Sequence, residues 1–178
     1  MPWRSSSPGY LIVSENKPAL NTPSVLLMQA HLPVPVAQAL PAGFELVAFS
    51  EAAHARPARA LLNAVYADGG GDVLAFEDWW PALSADEEFD PMLCLPVIES
   101  ETGLLAAFAQ CWSSGFIKDI GVRPDLRRQG LGRALMAEIF AVFPARGIDT
   151  VRLKVHANNP SGTVAFYKAL GMQQVHGA

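Results

Sequence analysis

From Gly43 onward, hydrophobic and polar positions follow a regular pattern. Runs rich in β-branched and apolar residues predict strands over 44–49, 92–99, 104–112, 116–122, 150–155 and 172–176. Apolar residues at helical spacing predict helices over 57–67 and 76–83, from 131 to a frayed end at Pro144, and over 161–170. This order indicates an α+β fold with a central mixed sheet. The fold contains one parallel β-α-β unit, in which the helix from 131 connects two strands.

The N-terminal part of the chain has a different composition. The first 41 residues contain 7 of the 14 prolines, and apolar residues occur there only in short runs at 10–13 and 25–28. Proline lacks the backbone N–H that a sheet interior requires. We therefore predict an extension with little regular structure over residues 1–40 and a single domain over residues 41–178.

Length and composition indicate one well-packed domain, because the chain has 178 residues of which 51% are hydrophobic. The two cysteines, Cys94 and Cys111, have apolar neighbours, which indicates buried thiols in a reducing compartment such as the cytoplasm. We expect no signal peptide and no membrane span, because no long apolar run is present. Histidines and cysteines lack metal-ligand spacing, so no metal site is predicted.

Charge is distributed unevenly along the chain. Residues 1–114 contain 4 basic and 13 acidic side chains, whereas residues 115–178 contain 9 basic and 4 acidic ones. The basic part suits a polyanionic ligand and the acidic part a cationic one, although solvated surfaces explain much of such a difference. A net charge of −4 makes nucleic acid an unlikely ligand.

The segment from Val122 to Leu135 has the composition of an anion site. A strand ends and a helix begins there, and the first turn of a helix has unpaired N–H groups at the positive end of its dipole. Glycines at 130 and 132 allow a ligand to approach the backbone, and arginines at 127, 128 and 133 add charge. A pyrophosphate would suit this loop, and an ordinary turn with solvated arginines is the alternative. Leu135 rules out a dinucleotide-binding fingerprint, and no Gly-Lys-Ser/Thr is present.

The same segment resembles the acyl-CoA loop of the Gcn5-related N-acetyltransferase (GNAT) family, written Arg/Gln-x-x-Gly-x-Gly/Ala. The family pattern continues on both sides, with Val122-Arg123-Pro124 before the loop, then residues 153–155, Asn158 and Tyr167-Lys168-Ala169-Leu170-Gly171. The resemblance is specific over residues 116–172. The segment from Trp79-Trp80 to residues 89–91 is also similar to the branch related to mycothiol synthase.

The resemblance implies that the chain binds acetyl-CoA as a co-substrate. The pantetheine arm would lie along Ile120, Gly121 and Val122 where this strand separates from the next. The remaining residues implied in cofactor binding are Arg127, Arg128, Gln129, Gly130, Leu131, Gly132, Arg133 and Asn158. For Asn158 the alternative is a turn that only starts the helix.

The resemblance assigns Tyr167 as the acid that protonates the departing CoA thiolate; otherwise core packing is the default for such an aromatic. A base is also required, because an amine with a pKa of about 10.4 is almost fully protonated at neutral pH. Asp119 is the first choice for this base. The alternatives are Glu87, Glu88, Asp90, His54 and His156, each of which also suits a surface position.

The leading hypothesis is direct acetyl transfer to a primary amine in a ternary complex, because neither cysteine lies beside a histidine. We expect a cationic small-molecule or peptide acceptor and no membrane or nucleic acid, and the sequence is compatible with a homodimer. The second hypothesis is a non-catalytic acyl-CoA-binding module whose residues 57–83 contact a protein partner. Trp79 and Trp80 would then form the interface instead of walls of an acceptor pocket, and core packing is the third alternative.

Overall fold

The computed structural model of the protein describes residues 25–159 and 162–175. A mixed sheet of seven strands has the order β2-β3-β4-β5-β6-β1-β7, which confirms the predicted fold class. The strands are β1 (Val25–His31), β2 (Phe44–Leu46), β3 (Phe89–Glu99), β4 (Leu105–Trp112), β5 (Phe116–Val122), β6 (Thr150–His156) and β7 (Gln173–Val175). The four α-helices of the described part are α1 (Arg56–Tyr66), α2 (Phe76–Ser84), α3 (Leu131–Val142) and α4 (Thr163–Ala169).

Strand β1 corrects the prediction that residues 1–40 have little regular structure. It lies inside the sheet, antiparallel to both β6 and β7, and Met28 and Ala30 are almost completely buried. Pro33 lies after the end of the strand, so it does not interrupt the hydrogen bonds of the strand. Residues 32–40 are irregular as predicted, and residues 1–24 fall outside the described part of the chain.

Helices cover both faces of the sheet. On one face, Leu135 and Ile139 of α3 pack with strand residues in the larger hydrophobic cluster. On the other face, Leu62 of α1 and Trp79 of α2 pack with Phe108 of β4. Both cysteines are buried and unpaired, as the sequence predicted. No helix among the described residues is both long and apolar enough to cross a membrane.

The central strands β5 and β6 separate part of the way along the sheet. Their parallel pairing consists of Phe116 with Arg152 and Ile117 with Leu153, although β5 continues to Val122 and β6 to His156. On its other edge, β5 pairs with β4 through a register shift that leaves Lys118 as an extra residue. Such a bulge bends and twists a strand. The result is an opening in the middle of the sheet, where the sequence placed the candidate site.

Candidate active site

A cleft of about 430 Å³ occupies the opening between β5 and β6. Its walls are residues 117–120 of β5, residues 153–155 of β6, and the end of α1 with the glycine-containing loop that follows it. Trp79 of α2 and Tyr167 of α4 also line it. The fold therefore brings Asp119 and Tyr167, the two predicted catalytic residues, to one cavity.

Asp119 lies directly after the bulge in β5, and its side chain is buried. Its Oδ1 atom accepts a hydrogen bond from the Tyr66 hydroxyl at 3.1 Å. Its Oδ2 atom has no hydrogen-bond partner within the described residues, and the Lys118 ammonium lies 3.9 Å away at the more exposed rim. One oxygen of this carboxylate is thus fixed, whereas the other has unused capacity to accept a proton or a donor.

Tyr167 is 5% exposed, and its ring packs edge-on against Phe166 with centroids 5.3 Å apart. It belongs to the larger core cluster and also lines the cleft. Its side chain therefore packs in the core and is also positioned at the site. Burial raises the pKa of its hydroxyl well above the usual range. The group therefore stays protonated at neutral pH and can act as a donor.

Tyr66 is a site residue that the sequence did not reveal. It is the last residue of α1, within the helix that the sequence predicted over 57–67, and its hydroxyl reaches Asp119, 53 positions later in the chain. Burial, and then the charge of Asp119, raises the pKa of the Tyr66 hydroxyl. Both tyrosines of the cleft are consequently neutral donors.

Arg59 was also missed, because a single arginine within an amphipathic helix predicts a solvated side chain. In the structure it is 2% exposed, its Nη2 atom donates to the backbone oxygen of Asp72 at 3.0 Å, and burial lowers its pKa. Its guanidinium carbon lies 5.3 Å from the ring centre of Trp79 and 5.9 Å from that of Tyr66. Both rings present their faces to a buried cation.

The predicted anion loop enters α3 through a left-handed residue. Gly130 has φ of 91° and precedes the first helical residue, and Arg128 has φ of 64°. The first backbone bond of the helix runs from the Ala134 N–H to the Gly130 oxygen at 3.0 Å, and no side chain caps this end. The N–H groups of residues 131–133 therefore have no acceptor within the helix and are available to an anion.

The side chains of this loop point in different directions. Arg127 lines the cleft, and Arg128, Gln129 and Arg133 are exposed. Leu131 is buried in the core, so only its backbone is available to a ligand. A side chain at Gly132 would contact Val122 and Phe166, and one at Gly130 would approach Gln38 and Pro41. The irregular segment 32–41 thus runs beside the loop, a neighbour that the sequence did not indicate.

The other residues implied in cofactor binding have distinct positions. Ile120 lines the cleft, whereas Gly121 lies beneath α1, where an added Cβ would be 3.0 Å from Val65. Asn158 is in an exposed turn, and its neighbour Asn159 lines the cleft.

The alternative bases do not line the cleft. Asp90 is bound to Arg146, Glu88 to Ser114, and the Nδ1 atom of His54 accepts the Ser50 N–H. Glu87 is exposed, and His156 lies near the end of β6. Among the candidates considered, only Asp119 is both buried and in the cavity.

Comparison with known proteins gives the same result as the motifs. The acetyltransferase (GNAT) family model matches residues 57–172. The [ribosomal protein bS18]-alanine N-acetyltransferase of Escherichia coli strain K12 is 36% identical over 78 residues, 42% of this chain and 52% of that protein. The mycothiol acetyltransferase of Clavibacter michiganensis is 35% identical over 88 residues, 48% of this chain and 28% of that protein. The chain spans about half the length of the E. coli relative.

Solved structures agree in fold. A GCN5-related N-acetyltransferase from Sphaerobacter thermophilus has a TM-score of 0.73 and 25% identity, over 85% of this chain and 48% of that chain. The ribosomal-protein-S18-alanine N-acetyltransferase from E. coli has a TM-score of 0.58 and 25% identity, over 72% of this chain and 76% of that chain. With its family model matched over most of its length and the cleft formed as the motifs require, the chain belongs to the GNAT family.

Proposed function

We propose that this protein is an acetyl-CoA-dependent N-acetyltransferase that transfers the acetyl group directly to a primary amine. The observation that carries the proposal is the opening between β5 and β6, where a buried carboxylate and a protonated phenol line one cavity. The names of the relatives, an alanine N-acetyltransferase and a mycothiol acetyltransferase, support the same class of reaction.

The loop before α3 suits the pyrophosphate of CoA. The backbone N–H groups of residues 131–133 lack intrahelical acceptors, and Arg128 and Arg133 are exposed near them. Arg127 extends the positive charge into the cleft itself. Bound by its phosphates at this loop, CoA could extend its pantetheine arm along the unpaired edge of β5 beyond Ile117.

In the proposed reaction, the neutral amine nitrogen attacks the thioester carbonyl carbon. A C–N bond forms, the C–S bond breaks, the nitrogen loses a proton, and the sulfur gains one. Asp119 has an oxygen free to take the proton from the amine, directly or through water. Tyr167 retains its proton at neutral pH and is the donor we assign to the CoA sulfur.

The cysteines support direct transfer over a covalent enzyme intermediate. Burial, followed by the charge of Asp90, raises the pKa of the Cys94 thiol to about 12, and burial also raises that of Cys111. A thiol with so high a pKa does not form the thiolate that attacks a thioester. Neither cysteine lines the cleft.

The alternative function, a binding module with a protein interface, requires Trp79 and Trp80 to be exposed at the surface. Trp79 and Trp80 are 5% and 9% exposed, so they form no surface patch. Trp79 lines the cleft, and the Trp80 indole N–H donates to Glu51 at 2.8 Å. We therefore retain the enzyme as the proposed function.

Initial-rate kinetics test this function. CoA release is measured while acetyl-CoA and the amine are both varied, using primary amines that include amino acids, polyamines and short peptides. Direct transfer predicts rates that saturate in both substrates and reciprocal plots that intersect. Parallel plots would indicate a covalent intermediate, and saturable acetyl-CoA binding without amine-dependent release would indicate a binding module.

A further inference from the structure

The polar groups at the acceptor side of the cleft are incompletely satisfied. Three side-chain atoms among residues that line the cavity are buried and have no hydrogen-bond partner within the described part of the chain: Arg59 Nε, Trp79 Nε1 and Asp119 Oδ2. Leaving a buried polar atom unpaired costs roughly 1–3 kcal/mol, more for charged groups, and such atoms are few in native proteins. Three of them at one cavity indicate groups that a ligand satisfies.

Arg59 points most directly to the chemistry of that ligand. Its guanidinium is almost completely buried, and no carboxylate of the described residues forms an ion pair with it. Its one hydrogen bond in the structure is to a neutral backbone oxygen, that of Asp72. Buried charges in proteins are normally paired, so a buried guanidinium beside a substrate cavity suits an anionic group of the substrate.

The three atoms form two kinds of contact point. Arg59 and Trp79 each offer an N–H donor, and their side chains are adjacent, with the guanidinium 5.3 Å from the indole ring. Asp119 offers an acceptor next to Tyr66, whose hydroxyl donates to Asp119 and whose ring lies near Arg59. A molecule with a carboxylate at one end and an amine at the other would satisfy all three.

We propose that the acceptor is an amino acid with a free carboxylate, which binds Arg59 and the Trp79 indole N–H while its amine faces Asp119. This inference rests on the proposed N-acetyltransferase function and specifies its substrate class. The proposal changes the expectation of a cationic acceptor. The acidic side chains at 86–90 do not line the cleft, whereas the positively charged side chain of Arg59 does.

The experiment compares α-, β- and γ-amino acids with their own carboxamides as acceptors, because each pair has the same carbon skeleton and amine position. The carboxamide also lowers the pKa of the amine, so kcat/KM is expressed per neutral amine in both members of a pair. A charge-assisted hydrogen bond contributes about 1.5–3 kcal/mol, so kcat/KM of the best amino acid is expected to exceed that of its amide by roughly 10-fold or more. Amides that react as well as or better than the acids throughout the panel would overturn the proposal.

Two substitutions locate the effect. Arg59→Gln removes the charge, and Trp79→Phe removes the indole N–H while keeping an aromatic ring. Each is expected to reduce the acid-over-amide preference about 10-fold with unchanged acetyl-CoA affinity. Trp80→Phe is the matched control, because its N–H donates to Glu51 outside the cleft, and it should keep the preference. Should Arg59→Gln fail to fold, Trp79→Phe still decides the question, and an undiminished preference in it counts against the proposal.

The outcomes separate this proposal from the function on which it rests. Turnover of amines without a carboxylate preference contradicts the amino-acid acceptor and leaves the acetyltransferase intact. Absence of turnover with every acid and every amide contradicts the amino-acid acceptor, and absence of turnover with the polyamines and peptides as well, despite acetyl-CoA binding, contradicts both. A thermal shift of the unloaded protein with the best amino acid, absent with its amide, would support the proposal independently of catalysis.

Discussion

At the scale of single residues, the site contains polar and charged side chains that are buried. Asp119 and Arg59 are both nearly inaccessible, and each has a polar atom without a hydrogen-bond partner among the described residues. Such groups are few in native proteins, and those in a cleft are candidates for a functional role. The assignment of roles in the cleft therefore follows from local chemistry, and each role can be tested by changing one group.

Gly130 tests the cofactor loop. Gly130→Glu places a carboxylate beside the free N–H groups of α3 and is expected to lower acetyl-CoA affinity by at least 10-fold, because like charge and bulk oppose the phosphates. Gly103→Glu is the matched control, since Gly103 also has positive φ but lies in the β3–β4 turn and not at the start of α3. Calorimetry that gave both variants wild-type affinity would contradict the anion site.

Tyr167 tests the acid. Tyr167→Phe keeps the ring that packs against Phe166 and deletes only the hydroxyl. If this hydroxyl protonates the sulfur, kcat should fall on the order of 10²-fold while acetyl-CoA affinity stays nearly constant. Steady-state kinetics over a range of pH, paired with acetyl-CoA titration, give both quantities. A kcat within about twofold of wild type, where chemistry limits turnover, would make Tyr167 a packing residue only.

At the scale of elements, the sequence predicted most of the architecture, because strands and helices after Gly43 have clear periodicity. Strand β1 was missed, since its seven residues lie between prolines and short runs carry little periodic signal. The contacts of Tyr66 with Asp119 and of Arg59 with Trp79 were also missed. They depend on how α1 and α2 pack across the sheet, and no local pattern encodes such distant pairs.

Gly121 tests how α1 is positioned over the cleft. An added Cβ would lie 3.0 Å from the Val65 side chain and 3.2 Å from that of Leu61, so Gly121→Ala requires these side chains to shift by a few tenths of an ångström and presses on α1. Overpacking of this kind costs about 1–3 kcal/mol, and kcat/KM should fall as well because Tyr66 and Arg59 move with the helix. Ala60→Val, on the exposed side of α1, is the control. Urea unfolding and kinetics that left Gly121→Ala indistinguishable from wild type would refute this account.

At the scale of the whole molecule, the unequal charge of the two halves was expected to match ligands of opposite charge, but part of it is used in ion pairs within the fold. Several acidic residues of the first half form ion pairs, Glu77 with Arg56, Asp90 with Arg146 and Glu99 with Arg123. Two of these pairs join the acidic first half to the basic second half. Part of the difference in charge is therefore neutralised within the fold and does not face a ligand.

The buried thiols predict how global stability depends on pH. Burial raises the pKa of Cys94 to about 12 and also raises that of Cys111, so the unfolded chain releases these protons first as pH rises. The free energy of unfolding should then decrease above about pH 8.5, by up to about 2 kcal/mol for each thiol at pH 10.

Urea unfolding under reducing conditions from pH 7 to pH 10 measures this dependence. The Cys94→Ala/Cys111→Ala variant is less stable at pH 7 because it leaves cavities, but its stability should decline less with pH. Equal slopes in the two proteins would show that the thiols do not account for the change.

The central claim is that this one chain joins acetyl-CoA and an amine in the opening between β5 and β6. Its most direct test is to count products, with the purified chain incubated with acetyl-CoA and a panel of amines including amino acids. CoA is quantified as free thiol and the acetylated amine by mass spectrometry in the same sample. We predict one acetylated amine for each CoA released beyond the amine-free rate, and at least 10-fold slower product formation with Gly130→Glu at acetyl-CoA concentrations below saturation. Acetyl-CoA binding with no acetylated amine at any concentration would contradict the claim.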